Sequence, residues 1–470
     1  MLQCKYIRSV PVQNKHEERY AVHKYLHLQN ELESLIEGIT YQEGDKLPSI
    51  RDLATRYECS KSTIIRTLEE LEKRHLIYSV PKSGFYVVKK QGAVCPTKER
   101  IIDLATSAPD PDVFPYVDFQ HCINKAIETY KKDLFIYGTA KGLPTLIQVI
   151  AKQLAKHQVF ANPQRIFITS GVQQALSLLC TIPFPNQKKK ILIEQPSYHL
   201  FIDYIQAHKL PVTGIKRTVR GIDLDELEHL FRKEDIKFFY TMPRFHSPLG
   251  TTYTRLEKQQ IVELARKYDV YIFEDDHMAD LEHDSKADPL FSYDRSAHTI
   301  YLKSYSKIIF PGMRLGIAVI PDTLSEAFTL HKRLQDIDSS MLSQAALEIY
   351  LKSGMFERHK QKIRESYRKR SITLNAALVE HAENARGLYT YQPLKYPGIH
   401  THIVLDNRVS VPRLIQQLKK RSILLESADH HYLPDFPREN ILKLNVSNAK
   451  EEDIREGIQG LVAVLCKMRL

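Results

Sequence analysis

Apolar residues recur at helical spacing in two short stretches between residues 49 and 73, with a few polar residues between them. Ser49 and Asp52 form a capping box that predicts the start of the first helix, and Ser60 can cap the second. The residues predicted to face the core are Ile50, Leu53, Ala54, Tyr57, Ile64, Leu68 and Leu71. Two short helices joined by a tight turn are typical of a helix-turn-helix.

Strand-like alternation follows the second helix. Residues 76–80 and 85–88 flank the turn Pro81-Lys82-Ser83-Gly84, which predicts a two-stranded wing. The outward face of the second helix carries short polar and cationic side chains, which can reach base edges and phosphates. Helix-turn-helix units also serve as dimerisation modules, so the residues alone leave both functions open.

The run GDKLPSIRDLA from Gly44 to Ala54, followed by SKST from Ser60, resembles the GntR winged helix-turn-helix. The resemblance covers roughly residues 22–90 and implies a DNA-binding domain over residues 1–90 that contacts a double-stranded operator. The residues that it implies at the DNA are Arg51, Ser62, Thr63, Arg66, Lys82 and Gly84. His75 departs from the family, which usually has a glycine there, at the turn into the wing.

A second pattern begins after a stretch without periodicity. Residues 91–102 contain glycine and proline and are predicted to be a linker. Beyond it, apolar runs alternate with amphipathic helix patterns; the predicted strands cover 165–169, 190–194, 236–242, 270–274, 299–302 and 315–320. This alternation predicts a mostly parallel α/β sheet with its sites at the strand ends.

Chemically active side chains follow three of these strands. The first strand is followed by the turn from Thr169 to Gln174, whose backbone N–H groups can bind a phosphate; the others are followed by Glu274 to Asp276, and by Ser304, Ser306, Lys307 and Arg314. Singly, a serine–glycine turn is usually a helix cap, and paired acids are more often metal ligands or solvated charges. Together, a lysine for a Schiff base, a carboxylate for a pyridine nitrogen and groups for a phosphate describe pyridoxal 5′-phosphate.

Residues 101–470 resemble the fold-type I aminotransferase family, and the whole chain is similar to the MocR subgroup of GntR regulators. The resemblance implies a PLP-binding domain over residues 103–470, with a smaller C-terminal subdomain from about residue 330. By similarity, Lys307 forms the Schiff base and Asp275 pairs with the ring nitrogen. The residues implied at the phosphate are Ser304, Ser306, Arg314, and the backbone of Val172 and Gln173.

Two tyrosines complete the implied cofactor site. Tyr198, in EQPSY, matches the aromatic residue that stacks on the ring. Tyr137, in YGTAKG, matches a tyrosine that reaches the phosphate from the partner subunit. The resemblance therefore also implies a head-to-tail homodimer.

Three positions depart from the family pattern. Ser247 stands where an asparagine bonds the ring hydroxyl of the cofactor, beside His246, and His277 stands where regulators usually have a tyrosine. Both histidines are either ligand contacts or ordinary polar loop residues. Lys443 replaces the arginine that binds an effector carboxylate in the family. The compact ammonium group of lysine cannot form the two parallel hydrogen bonds that a planar guanidinium forms. The effector is therefore either held more loosely by Lys443 or lacks that carboxylate.

These observations favour a PLP-dependent transcription regulator that senses an amine or amino-acid-like effector. An aminotransferase fused to a DNA-binding module is the alternative, although Lys443 and Ser247 indicate only vestigial turnover. A third possibility is a domain that binds the cofactor poorly and serves only for dimerisation.

Composition, net charge and cysteine spacing limit the class of protein further. The 470 residues are 43% hydrophobic and 26% charged, which is ordinary for a globular protein of two or three domains. The net charge is +11, yet residues 1–100 contribute only +4, from 17 basic and 13 acidic residues. Six cysteines without CxxC spacing argue against a zinc site and against a disulfide framework, and the sequence predicts no metal site. No apolar run reaches a membrane-spanning length, so we expect a cytoplasmic protein with no membrane partner.

Overall fold

The protein is described by a computed structural model that covers most of the chain. The described residues are 28–468, without 37–39, 43, 75, 81–82, 89–99, 112, 285–286, 386 and 395–397. Backbone contacts divide the chain into two compact units, Met1–Lys98 and Glu99–Leu470. Among the described residues, no helix is both long and apolar enough to cross a bilayer.

The small unit is a helix-turn-helix with a wing. Its elements are α1 (residues 28–36), α2 (Ile50–Arg56), α3 (Lys61–Lys73), β1 (Ile77–Val80) and β2 (Gly84–Val87). The capping box forms as predicted, because Ser49 Oγ accepts from Asp52 N at 3.2 Å and Asp52 Oδ2 accepts from Ser49 N. Ser60 caps α3 through Thr63 N at 3.2 Å. The antiparallel strands β1 and β2 pair Ile77 with Val87, which confirms the predicted wing.

The large unit is built around a sheet that is mostly parallel. The strands of the whole unit are β3 (Ile102–Asp103), β4 (Ile166–Thr169), β5 (Lys190–Gln195), β6 (Val212–Thr218), β7 (Gly221–Ile222), β8 (Ile236–Thr241), β9 (Tyr271–Asp275), β10 (Thr299–Ser304), β11 (Gly316–Val319), β12 (Tyr389–Thr390), β13 (His400–Leu405), β14 (Ile423–Leu424), β15 (Glu426–Ser427) and β16 (Ile441–Asn445). The main sheet has the order β4-β11-β10-β9-β8-β5-β6-β7. Strands β6, β5, β8, β9 and β10 run parallel, and β11 is antiparallel to both of its neighbours. The predicted fold class is confirmed.

Helices cover the sheet and form most of the C-terminal part. They are α4 (Tyr116–Tyr130), α5 (Pro144–Ala155), α6 (Val172–Thr181), α7 (His199–Ala207), α8 (Leu224–Lys233), α9 (Arg255–Lys267), α10 (Asp322–Asp336), α11 (Met341–Lys352), α12 (Met355–Glu380), α13 (Val411–Lys419) and α14 (Glu451–Lys467). Along β5, Ile191 and Ile193 pack in one apolar cluster and Leu192 in another. Both faces of the sheet are therefore buried, as a parallel sheet requires.

A second, antiparallel sheet of order β12-β13-β16-β15 forms in the C-terminal part. Strand β3 belongs to the same region although it lies 320 residues earlier, because it pairs in parallel with β14, Ile102 opposite Ile423. Arg100 also forms an ion pair with Asp453. Residues 100–102, at the end of the predicted linker, thus contact the large unit, whereas residues 91–99 lie outside the described residues.

Candidate functional site

The outward face of α3 carries three of the side chains predicted to meet DNA, and Arg51 lies on α2. Arg51, Ser62 and Arg66 are exposed and Thr63 is half-buried. The hydroxyl of Ser60 lies 2.7 Å from Ser62 Oγ and 2.8 Å from Thr63 Oγ1, which orders both hydroxyls at the start of the helix.

The wing supplies the other two predicted DNA contacts. Gly84 begins β2 with a φ of +125°, a backbone conformation that favours glycine. Lys82 lies outside the described residues. The DNA-contacting roles of all six residues stay predictions.

Lys307 lies in the turn after the buried strand β10, at the carboxyl edge of the sheet. Its Nζ donates to Ser107 Oγ at 2.8 Å and also to the carbonyl oxygen of Ser107. Burial lowers the pKa of Lys307 to about 8, and the nearby charge of Lys443 adds to the shift. The amine is therefore partly neutral near physiological pH, which is the nucleophilic form that a carbonyl requires.

Three consecutive acidic residues, Glu274 to Asp276, lie at the C-terminal end of β9, and each has different hydrogen-bond partners. Side chains alternate along a strand, so Glu274 and Asp276 share one face and Asp275 points to the other. Glu274 accepts from the backbone of Leu290 and Phe291 at 2.7 and 2.8 Å. Asp276 forms a buried ion pair with Arg244 and accepts from Tyr301.

Asp275 keeps one carboxylate oxygen without a partner. Tyr240, on the adjacent strand β8, donates to Asp275 Oδ2 at 2.7 Å. Asp275 Oδ1 is buried and has no hydrogen-bond partner among the described residues. Burial raises the pKa of Asp275 to about 7. An unpaired buried acceptor is costly, so this oxygen is suited to a donor from a ligand.

The start of α6 forms an anion-binding turn with Arg314. Gly171 is the N-cap of α6 with a φ of +87°, and a Cβ there would lie 2.8 Å from Arg314 Nη2. A Cβ on Gly316 would lie 2.7 Å from Val172 N. The two glycines thus let the guanidinium and strand β11 approach the helix N-terminus. Backbone N–H groups and a cation at one point are suited to a phosphate.

These groups line one cavity of about 260 Å³. The predicted residues that line it are Val172, Gln173, Tyr198, Ser247, Asp275, His277, Ser304, Ser306, Lys307, Arg314 and Lys443. His246 lies elsewhere, fully buried, with its Nε2 3.3 Å from Glu194 Oε2. Tyr137 does not line the cavity of its own chain and is 78% exposed.

His277 and Tyr198 border the part of the cavity next to Asp275. His277 Nδ1 is buried, lies 4.0 Å from Asp275 Oδ1 and has no hydrogen-bond partner among the described residues. Burial lowers the pKa of His277 to about 3, so this imidazole is neutral at pH 7. Burial raises the pKa of Tyr198 to about 12, so its hydroxyl stays protonated.

Lys443, on β16, already has an anionic partner on the neighbouring strand. Its Nζ lies 3.0 Å from Glu426 Oε2 on the neighbouring strand β15. Burial alone would raise the pKa of Glu426, but its hydrogen bond to His430 and the charge of Lys443 lower it to about 2. An effector carboxylate would therefore have to compete with Glu426 for this lysine.

Several lining residues were not predicted from the sequence. They are Ser107, His199, Glu426 and His400. Ser107 lies 200 residues before Lys307, in a loop without periodicity, so no spacing links the two. Glu426 was detectable in principle, since a cation at the buried position 443 calls for an anion on a neighbouring strand.

The residues fit pyridoxal phosphate. When bound, this cofactor supplies an aldehyde that an amine can attack and a ring that withdraws electrons. Lys307 would hold the aldehyde carbon, the unpaired Asp275 Oδ1 would accept from the ring nitrogen, and the turn of Gly171 and Arg314 would hold the phosphate. These roles stay predictions for the individual residues.

Fold and site together define a winged-helix DNA-binding domain joined to an aminotransferase-type domain with a PLP cavity. A family model described as "Aminotransferase class I and II" matches residues 99–461, and one described as "Bacterial regulatory proteins, gntR family" matches residues 24–87. The chain belongs to the aminotransferase class I and II family and carries a gntR-family domain at its N-terminus. The prediction of a MocR-type fusion is confirmed.

Two curated relatives show the two sides of this combination. The chain is 58% identical over 442 residues to an uncharacterized HTH-type transcriptional regulator, YcxD of Bacillus subtilis (strain 168), covering 94% of this chain and all of that protein. It is 26% identical over 379 residues to aromatic-amino-acid aminotransferase 1 of Thermococcus litoralis, covering 78% of this chain and 88% of that enzyme.

A solved structure supports the cofactor assignment. The chain matches kynurenine aminotransferase of Pyrococcus horikoshii, solved in complex with PMP, with a TM-score of 0.71 and 25% identity. The match covers 80% of this chain and 93% of that one. The predictions of a DNA-binding transcription regulator and of pyridoxal phosphate as the cofactor are confirmed.

Proposed function

We propose that the regulator senses a small amine or amino-acid-like effector at Lys307. The observation that carries this proposal is a second cavity of about 560 Å³ beside the cofactor cavity. Both cavities are lined by Ser107, Tyr198, Lys307 and Lys443. An effector therefore has room next to the lysine while the cofactor occupies the smaller cavity.

The second cavity also indicates what kind of effector fits. Its far wall is apolar and includes Ile415, Ile423 and Leu425. Its charged lining consists of the ion pair of Lys443 with Glu426, which is close to neutral as a unit, together with Lys307 and the exposed Lys419. An effector with a primary amine and an apolar part is favoured over one that depends on a carboxylate clamp.

A spectral screen tests the sensing proposal. Amines and amino acids are titrated against the purified holoprotein, and the cofactor absorption, operator affinity and release of keto or aldehyde product are followed in parallel. We expect the effector to shift both the absorption and the operator affinity without catalytic turnover. A ligand can change DNA binding only through its different affinity for the two states. If an effector shifts the absorption but leaves DNA binding unchanged, the sensing proposal is wrong.

The aminotransferase alternative is not favoured. The relative that is similar over nearly the whole chain is named as a regulator. Sustained product release in the same screen would revive the alternative.

The division of the chain into two compact units, Met1–Lys98 and Glu99–Leu470, supports an organisation in two domains. We propose a DNA-binding domain over residues 1–90, a linker over residues 91–102, and a cofactor domain over residues 103–470 with a smaller C-terminal subdomain from about residue 330. We expect the protein in the cytoplasm, where a regulator meets its operator.

We also propose a head-to-tail homodimer. Gly138 N donates to Asp338 Oδ2 at 2.6 Å, which brings the segment with Ile136 and Tyr137 next to the segment with Leu334 and Ile337. These four apolar or aromatic side chains are 43–78% exposed. Exposed apolar clusters often mark protein interfaces, and a second copy of the chain would cover this one.

Tyr137 should contact the cofactor of the partner subunit, and subunit mixing tests this. We expect Tyr137→Ala and Lys307→Ala homodimers each to bind the cofactor weakly or without covalent attachment. In the mixed dimer, the subunit with an intact Lys307 receives an intact Tyr137 from its partner. One covalent site of wild-type affinity per mixed dimer is therefore expected, by cofactor titration and intact mass. If the mixed dimer recovers no covalent site, Tyr137 does not contact the cofactor of the partner subunit.

Arg66 should contribute directly to operator binding. We expect Arg66→Ala to weaken binding by about 1–3 kcal/mol, since a cation on the outward face of α3 can contact bases or phosphates. The measurement is a fluorescence-anisotropy titration with an operator selected from genomic DNA. Lys73→Ala, at the other end of the same helix, is the matched control and should have a smaller effect. Equal effects of the two variants would contradict the role of Arg66.

A further inference from the structure

Three histidines meet at the edge of the second cavity, and the proposed sensing function does not use them. His199 is the first residue of α7, and His430 and His431 lie in the 3-10 turn Asp429–His431. One ring nitrogen of each lies within 4.8 Å of those of the other two. The fold therefore gathers three imidazoles from segments that are more than 200 residues apart.

Two of the three rings have a buried nitrogen without a partner. His431 is 1% exposed, and its Nδ1 lies 2.6 Å from the carbonyl oxygen of Ser197. A carbonyl only accepts, so Nδ1 carries the proton and Nε2 keeps a lone pair. Neither His431 Nε2 nor His199 Nδ1 has a hydrogen-bond partner among the described residues. Such unpaired buried nitrogens are costly, and one bound cation would satisfy both.

The hydrogen-bond partners of these histidines resemble those of metal-bound histidines. Metal-bound histidines usually donate their other ring N–H to a carbonyl or a carboxylate. His431 donates to Ser197, and His430 Nε2 lies 3.3 Å from Glu426 Oε1. Glu426 also compensates the charge of Lys443, which lines both cavities, as His199 does.

Simple ring packing is the competing explanation for the cluster. The ring centroids lie 4.6–5.1 Å apart, and His199 meets the other two rings edge to face. Edge-to-face packing explains the ring orientations. It leaves the two buried nitrogens unsatisfied, whereas metal ligation accounts for them.

We propose that His199, His430 and His431 form a three-histidine site for a divalent transition metal, with Zn²⁺ as the best match. Imidazole suits Zn²⁺, and three protein ligands leave a fourth position for water or for a ligand atom. Zn–N bonds of about 2.0–2.1 Å place tetrahedral nitrogens about 3.4 Å apart, so ring nitrogens within 4.8 Å need only a small closure. The site adjoins the effector cavity, because His199 and Glu426 line that cavity.

Zinc competition against a chromophoric chelator tests the site on the full-length holoprotein without a histidine tag. We expect one tightly bound Zn²⁺ per chain. His430→Ala should weaken binding by more than about 100-fold. Glu426→Gln should weaken it by about 10–100-fold, the range for loss of a residue that holds a metal-bound histidine in place. His121→Ala, an exposed histidine on α4, is the matched control and should bind as the wild type does.

Cobalt substitution separates the proposed geometry from adventitious binding. We expect Co²⁺ to give the intense absorption of a four-coordinate ion in the wild type and to lose it in His430→Ala. Equal thermal stability and equal cofactor absorption establish that the variant is folded. Zinc affinity that is the same in the wild type and in the His199→Ala/His430→Ala double variant would overturn the proposal. So would a weak, six-coordinate cobalt spectrum.

Discussion

Lys307→Ala will abolish covalent attachment of the cofactor. The amine of Lys307 is buried in the cavity, and its lowered pKa of about 8 makes the nucleophilic form available near neutral pH. No other lysine in the described part of this cavity is uncompensated, since Lys443 is paired with Glu426. After borohydride reduction, intact-mass measurement should find one cofactor per wild-type chain and none on the variant.

Lys443→Ala is the matched control, because it removes the other lysine of the same cavity. We expect this variant to keep the covalent cofactor. Its attachment rate should rise at a higher pH than in the wild type, because Lys443 contributes to lowering the pKa of Lys307. A cofactor retained covalently by Lys307→Ala would remove that lysine from the site.

Arg217→Met will be among the most destabilising single substitutions in the large unit. Arg217 and Glu194 are completely buried, and their charged atoms lie 2.9 Å apart. The guanidinium also stacks 3.4 Å above the ring of Tyr253. Removal of one partner leaves an uncompensated buried charge, which costs about 3–5 kcal/mol. The measurement is chemical unfolding followed by circular dichroism.

An exposed ion pair provides the control for this prediction. Arg266 pairs with Glu263 on the surface of α9, and both side chains are more than half exposed. Arg266→Met should lower the free energy of unfolding much less than Arg217→Met does, because exposed pairs contribute little. Equal losses for Arg217→Met and Arg266→Met would contradict the role assigned to burial.

The same buried pair predicts a direction for acid sensitivity. Burial alone would raise the pKa of Glu194, but Arg217 and His246 outweigh it and lower the pKa to about 2. A carboxyl group whose pKa is lowered by folding stabilises the protein above its unfolded pKa. That stabilisation is lost as the pH falls from about 4.5 towards 2. Arg217→Met should weaken this dependence, measured as the unfolding midpoint against pH.

The winged helix-turn-helix could be predicted well from the sequence because its signals are local. Ser49, Asp52 and Ser60 cap helices within three residues of their partners, and the apolar stripe lies on those same helices. The parallel sheet was also predictable, since buried strands appear as continuous apolar runs.

The site was only partly predictable, for geometric reasons. The run Glu274–Asp276 gives no sign of which acid faces the cavity, because that depends on the partners that Arg244 and Tyr240 supply from elsewhere. The contact of Ser107 with Lys307 and the histidine cluster arise from segments that only the tertiary fold brings together. Their spacing along the chain carries no periodic signal.

Strand β3 connects the C-terminal strands of the large unit with the loop that contacts Lys307. Leu104, the residue after β3, is held by two backbone hydrogen bonds. Its N donates to Leu424 O at 3.0 Å, and its carbonyl oxygen accepts from Asn445 N. Three residues further along, Ser107 accepts from Lys307. The described segment from Ile102 to Ser107 is thus fixed at Leu104 and ends at the reactive amine. A change in the hydrogen bond between Lys307 and Ser107 would act on this segment, and amide exchange at Leu104 would record it.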